Sequence, residues 1–270
     1  MDWATLLPVV WFFIIGFGVM MYVLLDGFVL GLGILTPFAD DEHQRDHMMN
    51  TAAPIWDGNE TWLVLGGAGL LAAFPKAYAL VLSTLYLPIL LMLIALIFRG
   101  VAFEFRFKAH TSRWLWGVAF HVGSLLAAFA QGVILGALVD GIVPLAPGRT
   151  HGAFAWFSPF AIMTGVAVVC GYALLGATWL ILKTEGRLQR IAFDLTRPLM
   201  VAVIVFMLIV SASLPTLHSA LMQRWFTGNN FLYSGEWWIT IFPGVALVMM
   251  VLSINLLGDW LRDALNPRLQ

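Results

Sequence analysis

The chain has 270 residues and a formal net charge of −1, and 61% of its residues are hydrophobic while only 11% are charged. Soluble domains contain about 45–50% apolar residues, so this composition excludes a soluble globular protein and points to a lipid bilayer as the solvent. The near-neutral charge offers no basic surface for nucleic acid, and the single cysteine, Cys170, excludes an internal disulfide and a cysteine-based metal site.

Seven apolar stretches are long enough to cross the hydrocarbon, which requires about 20 residues of helix. No stretch shows the ten-residue alternation that is typical of membrane strands. The sequence therefore predicts an all-α, polytopic transmembrane helical bundle with a bilayer around it. The predicted spans cover roughly residues 8–34, 51–74, 77–98, 114–139, 157–182, 198–214 and 237–257.

Basic residues predict the orientation, because cytoplasmic connections are enriched in Lys and Arg. If the N-terminus is outside, eleven of the 14 Lys and Arg residues fall in cytoplasmic connections and three fall outside. Seven spans with the N-terminus outside and the C-terminus in the cytoplasm are therefore self-consistent. The first stretch has no basic residue before it, so we interpret it as a retained span and not as a secretory signal.

Three carboxylates lie within the predicted spans. Asp26 falls in the first span, and Asp57 and Glu60 lie three residues apart in the second, on one face of the helix. An ionised carboxylate at mid-membrane costs about 2.5–3.5 kcal/mol on insertion scales. We therefore expect these groups to face the interior, to lie near an interface or to be protonated. They are candidates for proton transfer, and the alternative is that they cap backbone groups at helix breaks next to Gly27, Gly58 and Pro54.

A charged segment follows the third predicted span. Arg99, Glu104, Arg106 and Lys108 alternate there with aromatic residues. One interpretation is a boundary anchor with an Arg–Glu pair, whose long side chains reach toward the cytoplasmic interface. The other is a contact with a partner subunit or with a quinone head group.

The fourth predicted span carries a polar stripe, because His121, Ser124 and Gln131 fall within one sector of the helix. A lone histidine inside a span is more often hydrogen-bonded than bound to a metal. The sequence contains no second histidine at a facing depth and no haem-attachment motif, so we predict that this chain alone binds no haem or metal. The glycine-rich run at 65–69 lies inside a span and is interpreted as helix packing.

Several segments resemble subunit II of the bd-type quinol oxidases, and the segment NETW is most similar to the cyanide-insensitive branch. The resemblance covers roughly residues 1–230. The matching segments are MMYVLLDGFVLG at 20–31, MMNTAAPIWDGNETWLVL at 48–65, LIFRGVAFEFR at 96–106, GYALLG at 171–176 and WLILKTEG at 179–186.

This resemblance implies a haem-free subunit of a bacterial inner-membrane complex that oxidises quinol and reduces oxygen to water. Subunit I is then the partner that carries haem b, haem d and the quinol site, with a small accessory subunit as a further partner. The resemblance also implies a role in proton delivery for Asp57, with Trp56 beside it. The family usually has a second acid where Val29 stands here, and Glu60 is the candidate to replace it.

The last 40 residues have a different resemblance. The segments GEWWITIFPG at 235–244 and NLLGDWLRDALNPR at 255–268 are similar to the C-terminus of dipeptide-type ABC transporter permeases. We therefore predict two parts, an oxidase-like membrane domain at 1–230 and a permease-like span and tail at 231–270. The alternatives to an oxidase subunit are a peptide transporter permease and a non-functional fusion or truncated structural subunit.

Overall fold

A computed structural model describes residues 3–142 and 152–217, together with Met222. All regular structure in these ranges is helical, which confirms the predicted all-α class. The helices are α1 (Trp3–Leu35), α2 (Glu42–Ala52), α3 (Trp56–Ala73), α4 (Pro75–Thr84), α5 (Tyr86–Arg106), α6 (Arg113–Asp140), α7 (Pro159–Lys183) and α8 (Gly186–Leu217), with a 3₁₀ turn at Thr36–Phe38.

Five helices of the described residues are long and apolar enough to cross a bilayer, and they correspond to the first, third, fourth, fifth and sixth predicted spans. The second predicted span corresponds to α3, whose first half is polar. The seventh, at 237–257, lies outside the described residues, as does the rest of the permease-like tail. The number of spans and their orientation therefore stay predictions. The five segments are Leu6–Phe38, Tyr86–Arg106, Arg113–Asp140, Pro159–Lys183 and Gly186–Leu217.

Prolines explain where the predicted boundaries of spans two and three were wrong. Residue 51 belongs to α2, and Pro54 lies in the turn that separates α2 from α3. The stretch 77–98 is not continuous, because α4 ends at Thr84 and α5 begins at Tyr86. Pro88 has no N–H to donate to the carbonyl of Thr84, so the helix breaks there. The predicted sixth span was too short, since α8 includes Pro198 and continues past Pro215.

The chain forms two compact units, Met1–Ala177 and Thr178–Gln270. In the first unit, α5 and α6 follow one another through a short turn and pack along their lengths. The C-terminal half of α1 is buried between its neighbours, whereas much of its N-terminal half is exposed. Helix α1 packs against α3 and α6, so the polar residues of all these helices converge near the middle of α1.

Small residues let α1 and α7 approach closely within the first unit, as the spacing of Gly27 and Gly31 predicts. A methyl group on Gly31 would overlap the backbone of Tyr172 and would lie 2.7 Å from the nitrogen of Gly176. A methyl group on Gly27 would lie 2.9 Å from the ring of Tyr172. The close approach also brings the buried Tyr172 to the polar interior of the bundle.

In the second unit, the end of α7 and the start of α8 form a tight turn. Gly186 has a φ of 69°, a conformation that residues with a side chain rarely adopt. Thr184 Oγ1 donates to the Leu180 carbonyl at 2.6 Å, and Gln189 Nε2 donates to the Ile181 carbonyl at 2.8 Å. The first bond adds to the backbone bond from Thr184 N to the Leu180 carbonyl, and the second satisfies a carbonyl that the end of a helix leaves without a partner.

The contact of Gly31 with the backbone of α7 predicts that even one added methyl group destabilises the protein. Gly31→Ala should destabilise the protein by about 1–3 kcal/mol, because the backbone of α7 must move to accept one methyl group. Gly67→Ala in α3 is the matched control, since a methyl group at Gly67 meets no atom within 4 Å. Thermal unfolding of the detergent-purified protein measures both, and equal unfolding temperatures for the two variants would contradict the close approach.

Candidate functional site

A fully buried ion pair joins α1 to α5. Arg99 Nη2 lies 2.5 Å from each carboxylate oxygen of Asp26, and both side chains are 0% exposed. Charges removed from water are tolerated only when they are paired and hydrogen-bonded. Asp26 therefore faces the interior, and Arg99 neutralises it.

Glu60 on α3 is the second carboxylate beside the same guanidinium. Its Oε1 lies 3.4 Å from Arg99 Nη1, and its side chain is 32% exposed, so it connects the buried pair with the surface of the chain. Trp56 covers Arg99, with the guanidinium carbon 5.7 Å from the ring centroid. Trp56 in turn stacks on Phe103 with the two ring centroids 5.0 Å apart. One cation thus has two carboxylates and an aromatic face as neighbours.

Asp57 occupies a different position from Glu60. It is exposed and makes no hydrogen bond or ion pair with a described residue. Between the two acids, Asn59 is buried, and its Nδ2 donates to the Leu25 carbonyl of α1 at 2.7 Å. This bond fixes the polar start of α3 against α1, next to Asp26. Asn59 was not singled out from the sequence, although a buried amide within an apolar span is a signal that could have identified it.

A chain of hydrogen-bonded side chains, which we call the tyrosine chain, lies near Asp26. Tyr172 on α7 donates its hydroxyl to Gln131 Oε1 at 2.7 Å, and Gln131 Nε2 on α6 donates to the Tyr22 hydroxyl oxygen at 2.8 Å. Tyr22 lies one turn before Asp26 on α1, and its hydroxyl interacts with the Asp26 carboxylate. Both tyrosines are buried. The sequence did not indicate either of them as a site residue.

The predicted polar stripe on α6 does not act as one group. His121 Nδ1 donates to the Gly33 carbonyl at 2.9 Å, and Ser124 is buried beside the same glycine. Gln131, by contrast, belongs to the tyrosine chain. The stripe therefore serves two separate contacts with α1, because one face of α6 runs along the buried half of that helix.

Four buried polar atoms near this centre have no hydrogen-bond partner in the described part of the chain: Arg99 Nε, Arg99 Nη1, Glu60 Oε1 and Ser124 Oγ. Buried donors and acceptors are rarely left unsatisfied, and ordered water is the usual partner when the protein supplies none. Three of the four atoms lie on the facing side chains of Arg99 and Glu60. Of these atoms, Arg99 Nη1 and Glu60 Oε1 lie 3.4 Å apart in the ion pair, which is too close for a water molecule to lie between them.

The predicted charge cluster of Arg99, Glu104 and Arg106 is divided in the structure. Arg99 pairs with Asp26 as described, and Glu104 forms an exposed pair with Lys108 at 3.0 Å. The expected Arg–Glu pair within this segment is therefore wrong. The reason is helical geometry, because Arg99 and Arg106 are two turns apart on the inner face of α5 while Glu104 lies on its outer face.

Arg106 instead holds α2 onto the turn between α5 and α6. The buried guanidinium lies 3.0 Å from Asp46 and 2.5 Å from Glu42, and it donates to the Arg113 carbonyl at 3.1 Å. Arg45 pairs with Glu42, and Arg113 pairs with Asp46. We refer to these five residues as the α2 clamp. Three cations and two carboxylates alternate within it, so no carboxylate lacks a cation.

Val29, where the resemblance implies a second family acid, is fully buried on α1. An acid at this position would be removed from water and would need a partner of its own. In this chain the buried carboxylate of α1 is Asp26, and the additional acid comes from α3 in the form of Glu60.

The buried pair predicts strongly non-additive substitutions. Arg99→Met should destabilise the protein by about 3–5 kcal/mol, because it leaves Asp26 buried without its cation. Combining it with Asp26→Leu should restore much of that loss. Lys108→Met, which breaks an exposed pair, is the control and should change stability by less than about 1 kcal/mol. Thermal unfolding in detergent measures all three, and a double variant worse than Arg99→Met alone would contradict the pairing.

The α2 clamp predicts a pH dependence. Desolvation disfavours the charged form of Glu42, but hydrogen bonds from Arg106 and Arg45 outweigh it and lower the pKa from its ordinary value of 4.5. Because the folded-state pKa is depressed, this stabilisation is present above pH 4.5 and is lost as the pH falls through the lower folded value. Glu42→Gln should therefore reduce the loss of thermal stability on acidification. Glu104→Gln, at an exposed pair, should leave that loss unchanged.

Comparisons with known proteins identify the family of this chain. The sequence profile described as cytochrome bd terminal oxidase subunit II matches residues 7–265. The chain is 34% identical to cytochrome bd-I ubiquinol oxidase subunit 2 of Escherichia coli K12 over 189 residues, which are 67% of this chain and 50% of that protein. It is 34% identical to cytochrome bd ubiquinol oxidase subunit 2 of Bacillus subtilis 168 over 206 residues, which are 75% of this chain and 61% of that protein.

A second, shorter similarity is to a transport protein. A putative peptide transport system permease protein of Brucella suis is 59% identical over 34 residues, which are 13% of this chain and 12% of that protein. This match is too short to favour a permease for the whole chain. The chain spans about half the length of the first oxidase subunits above, yet the profile match extends over most of it. The chain therefore belongs to the cytochrome bd terminal oxidase subunit II family, whose members are multi-pass proteins of the inner membrane.

Proposed function

We propose that this chain is the haem-free membrane subunit of a bd-type quinol:oxygen oxidoreductase, which supports a haem-bearing subunit I and supplies protons for the reduction of oxygen. One observation carries the proposal: the buried Arg99 lies between the fully buried Asp26 and the partly exposed Glu60. The other support is membership in the family, whose relatives named above are ubiquinol oxidase subunits.

Counting charges identifies Glu60 as the acid that exchanges protons. Arg99 contributes one positive charge, and Asp26 alone is sufficient to neutralise it. Glu60 can therefore gain or lose a proton without leaving the buried cation unpaired. Its partial exposure connects it to the chain surface, and its Oε1 lies 3.4 Å from Arg99 Nη1.

Asp57 and Trp56 have supporting parts in this proposal. Asp57 is exposed about one helical turn before Glu60 and serves as the entry acid that passes protons to it. Trp56 covers the guanidinium of Arg99 and limits direct access of water to the buried pair. The family resemblance that implied a proton-path role for Asp57 therefore extends here to Glu60.

The redox chemistry belongs to the partner in this proposal. In the described residues, His121 Nδ1 donates to the Gly33 carbonyl, and the close contact of Gly33 with Ser124 holds α6 against α1. On the support of the family, haem b and haem d are assigned to subunit I, with quinol as the substrate of the complex and a small accessory subunit as an additional partner.

The C-terminal segment is a separate part of the proposal. We propose a boundary near residue 230, on the support of the similarity between a short segment of this chain and the Brucella suis permease. The oxidase profile, in contrast, extends to residue 265. Co-purification with an ATPase would favour the permease alternative, and haem absorbance in the purified complex would oppose it.

Proton delivery through Glu60 predicts a loss of turnover without a loss of assembly. In the complex with subunit I, Glu60→Gln should lower oxygen consumption by about tenfold, the effect of roughly 1.4 kcal/mol added to the barrier. Asp57→Asn should have a smaller effect, because water can also reach Glu60 directly. Glu104→Gln, at an exposed acid outside the site, is the matched control.

Haem absorbance of each purified variant reports assembly independently of turnover. Normal haem content with unchanged oxygen consumption in Glu60→Gln would remove the proton role. Loss of haem from every variant, including the control, would indicate that this chain contributes to assembly alone.

A further inference from the structure

The tyrosine chain behind Asp26 has no part in the ion pair or in the exposed route through Glu60. It consists of Tyr22 on α1, Gln131 on α6 and Tyr172 on α7, joined by hydrogen bonds of 2.8 Å and 2.7 Å. The two tyrosines are 4% and 5% exposed. Three polar side chains from three helices therefore meet in a buried place, although apolar side chains would fill it at less cost.

The hydrogen bonds of the tyrosine chain leave one hydrogen for Asp26. Gln131 Nε2 donates to the Tyr22 oxygen, so the single hydrogen of that hydroxyl is not used within the chain. Asp26 lies one turn along α1, and its ionised carboxylate can only accept. The same orientation of the Gln131 amide presents its oxygen to Tyr172, whose hydroxyl donates to it. A flipped amide would instead draw the Tyr22 hydrogen away from Asp26.

Gln131 also prevents the chain from conducting protons. A proton could cross an amide only if the nitrogen released one while the oxygen bound another, which leaves the unstable imidic acid. The chain is therefore closed to proton transfer at Gln131, whereas the open side of Asp26 faces Arg99 and Glu60. Its contribution is to orientation.

We infer that Gln131, held by Tyr172, is a positioning residue that directs the Tyr22 hydroxyl at Asp26. This inference rests on the proposed function. With Tyr22 on one side and Arg99 on the other, Asp26 has a fixed orientation. Arg99 then keeps Nη2 on Asp26 and Nη1 at 3.4 Å from Glu60 Oε1. Proton exchange at Glu60 therefore depends on a residue that it does not contact.

The experiment uses the complex with subunit I and four single variants: Tyr22→Phe, Gln131→Met, Tyr172→Phe and, as the matched control, Tyr86→Phe at an exposed tyrosine. Methionine keeps the approximate shape of glutamine without its hydrogen bonds. Infrared spectra with isotope-labelled tyrosine identify the C–O band of Tyr22 as the one that Tyr22→Phe removes. Oxygen consumption and haem content are measured on the same samples.

Gln131→Met should move the Tyr22 band, because the hydroxyl then donates without accepting, and should lower turnover about two- to tenfold at normal haem content. Tyr172→Phe should move the Tyr22 band and lower the turnover in the same direction but by less, because it removes only the hydrogen bond to the Gln131 amide oxygen. Tyr22→Phe combined with Gln131→Met should have the turnover of Tyr22→Phe alone, since Gln131 acts through Tyr22. Tyr86→Phe should change neither the band nor the turnover.

An unmoved Tyr22 band in Gln131→Met would overturn the inference, and so would turnover losses that multiply in the double variant. A role in packing alone would lower only the unfolding temperature. The band is measured without turnover, so it is independent of the proton-delivery proposal. If Glu60→Gln leaves turnover unchanged, proton delivery fails, while the band and the double variant still decide whether Gln131 positions Tyr22.

Discussion

One buried cation organises the interior of this protein. Arg99 is fully enclosed, and a guanidinium cannot shed its charge, so the surrounding helices must each supply something to it. Helix α1 supplies Asp26, and α3 supplies Glu60 and the ring of Trp56. The requirement explains why the polar residues of separate spans meet at one depth. It also explains why the start of α3 is tied to α1 through Asn59, because a shift of that helix would separate Glu60 from the cation.

The sequence was informative where the physical rule is local. Composition and the length of the apolar stretches predicted membrane helices, and the cost of charge in hydrocarbon made an inward-facing Asp26 one of three expectations, beside a position near an interface and a protonated acid. Pairing across helices was not predictable in the same way. The charges around Arg99 suggested a boundary anchor with Glu104, since both lie in one short segment. The actual partner is Asp26, 73 residues earlier in the chain, because the inner face of α5 packs near α1. Tyr22 and Tyr172 were missed for the same reason, since their link through Gln131 exists only after three helices pack.

Helix boundaries show the same difference between local and distant causes. Pro54 and Pro88 are local signals, and their missing N–H groups divide the predicted second and third spans as backbone hydrogen bonding requires. At Pro88 the hydropathy concealed the break, because apolar residues continue on both sides of it. In α8 the opposite occurred, since Pro198 and Pro215 are accommodated inside a long helix. A proline therefore predicts a missing hydrogen bond, and the surrounding packing decides whether the helix ends there.

Val29 connects these observations with the function of the family. Because Val29 is apolar and buried on α1, it adds no charge to the interior, and the cation of Arg99 has one fully buried partner, Asp26. A second, less buried acid on α3 can then change its protonation while the interior stays neutral. The polar start of α3 weakens it as a membrane span, yet the same polarity allows Glu60 to contact both the surface and Arg99. The hydrogen bond from Asn59 to α1 and the contact of Trp56 with Arg99 offset that weakness, so α3 is held at the site by polar contacts with both α1 and α5.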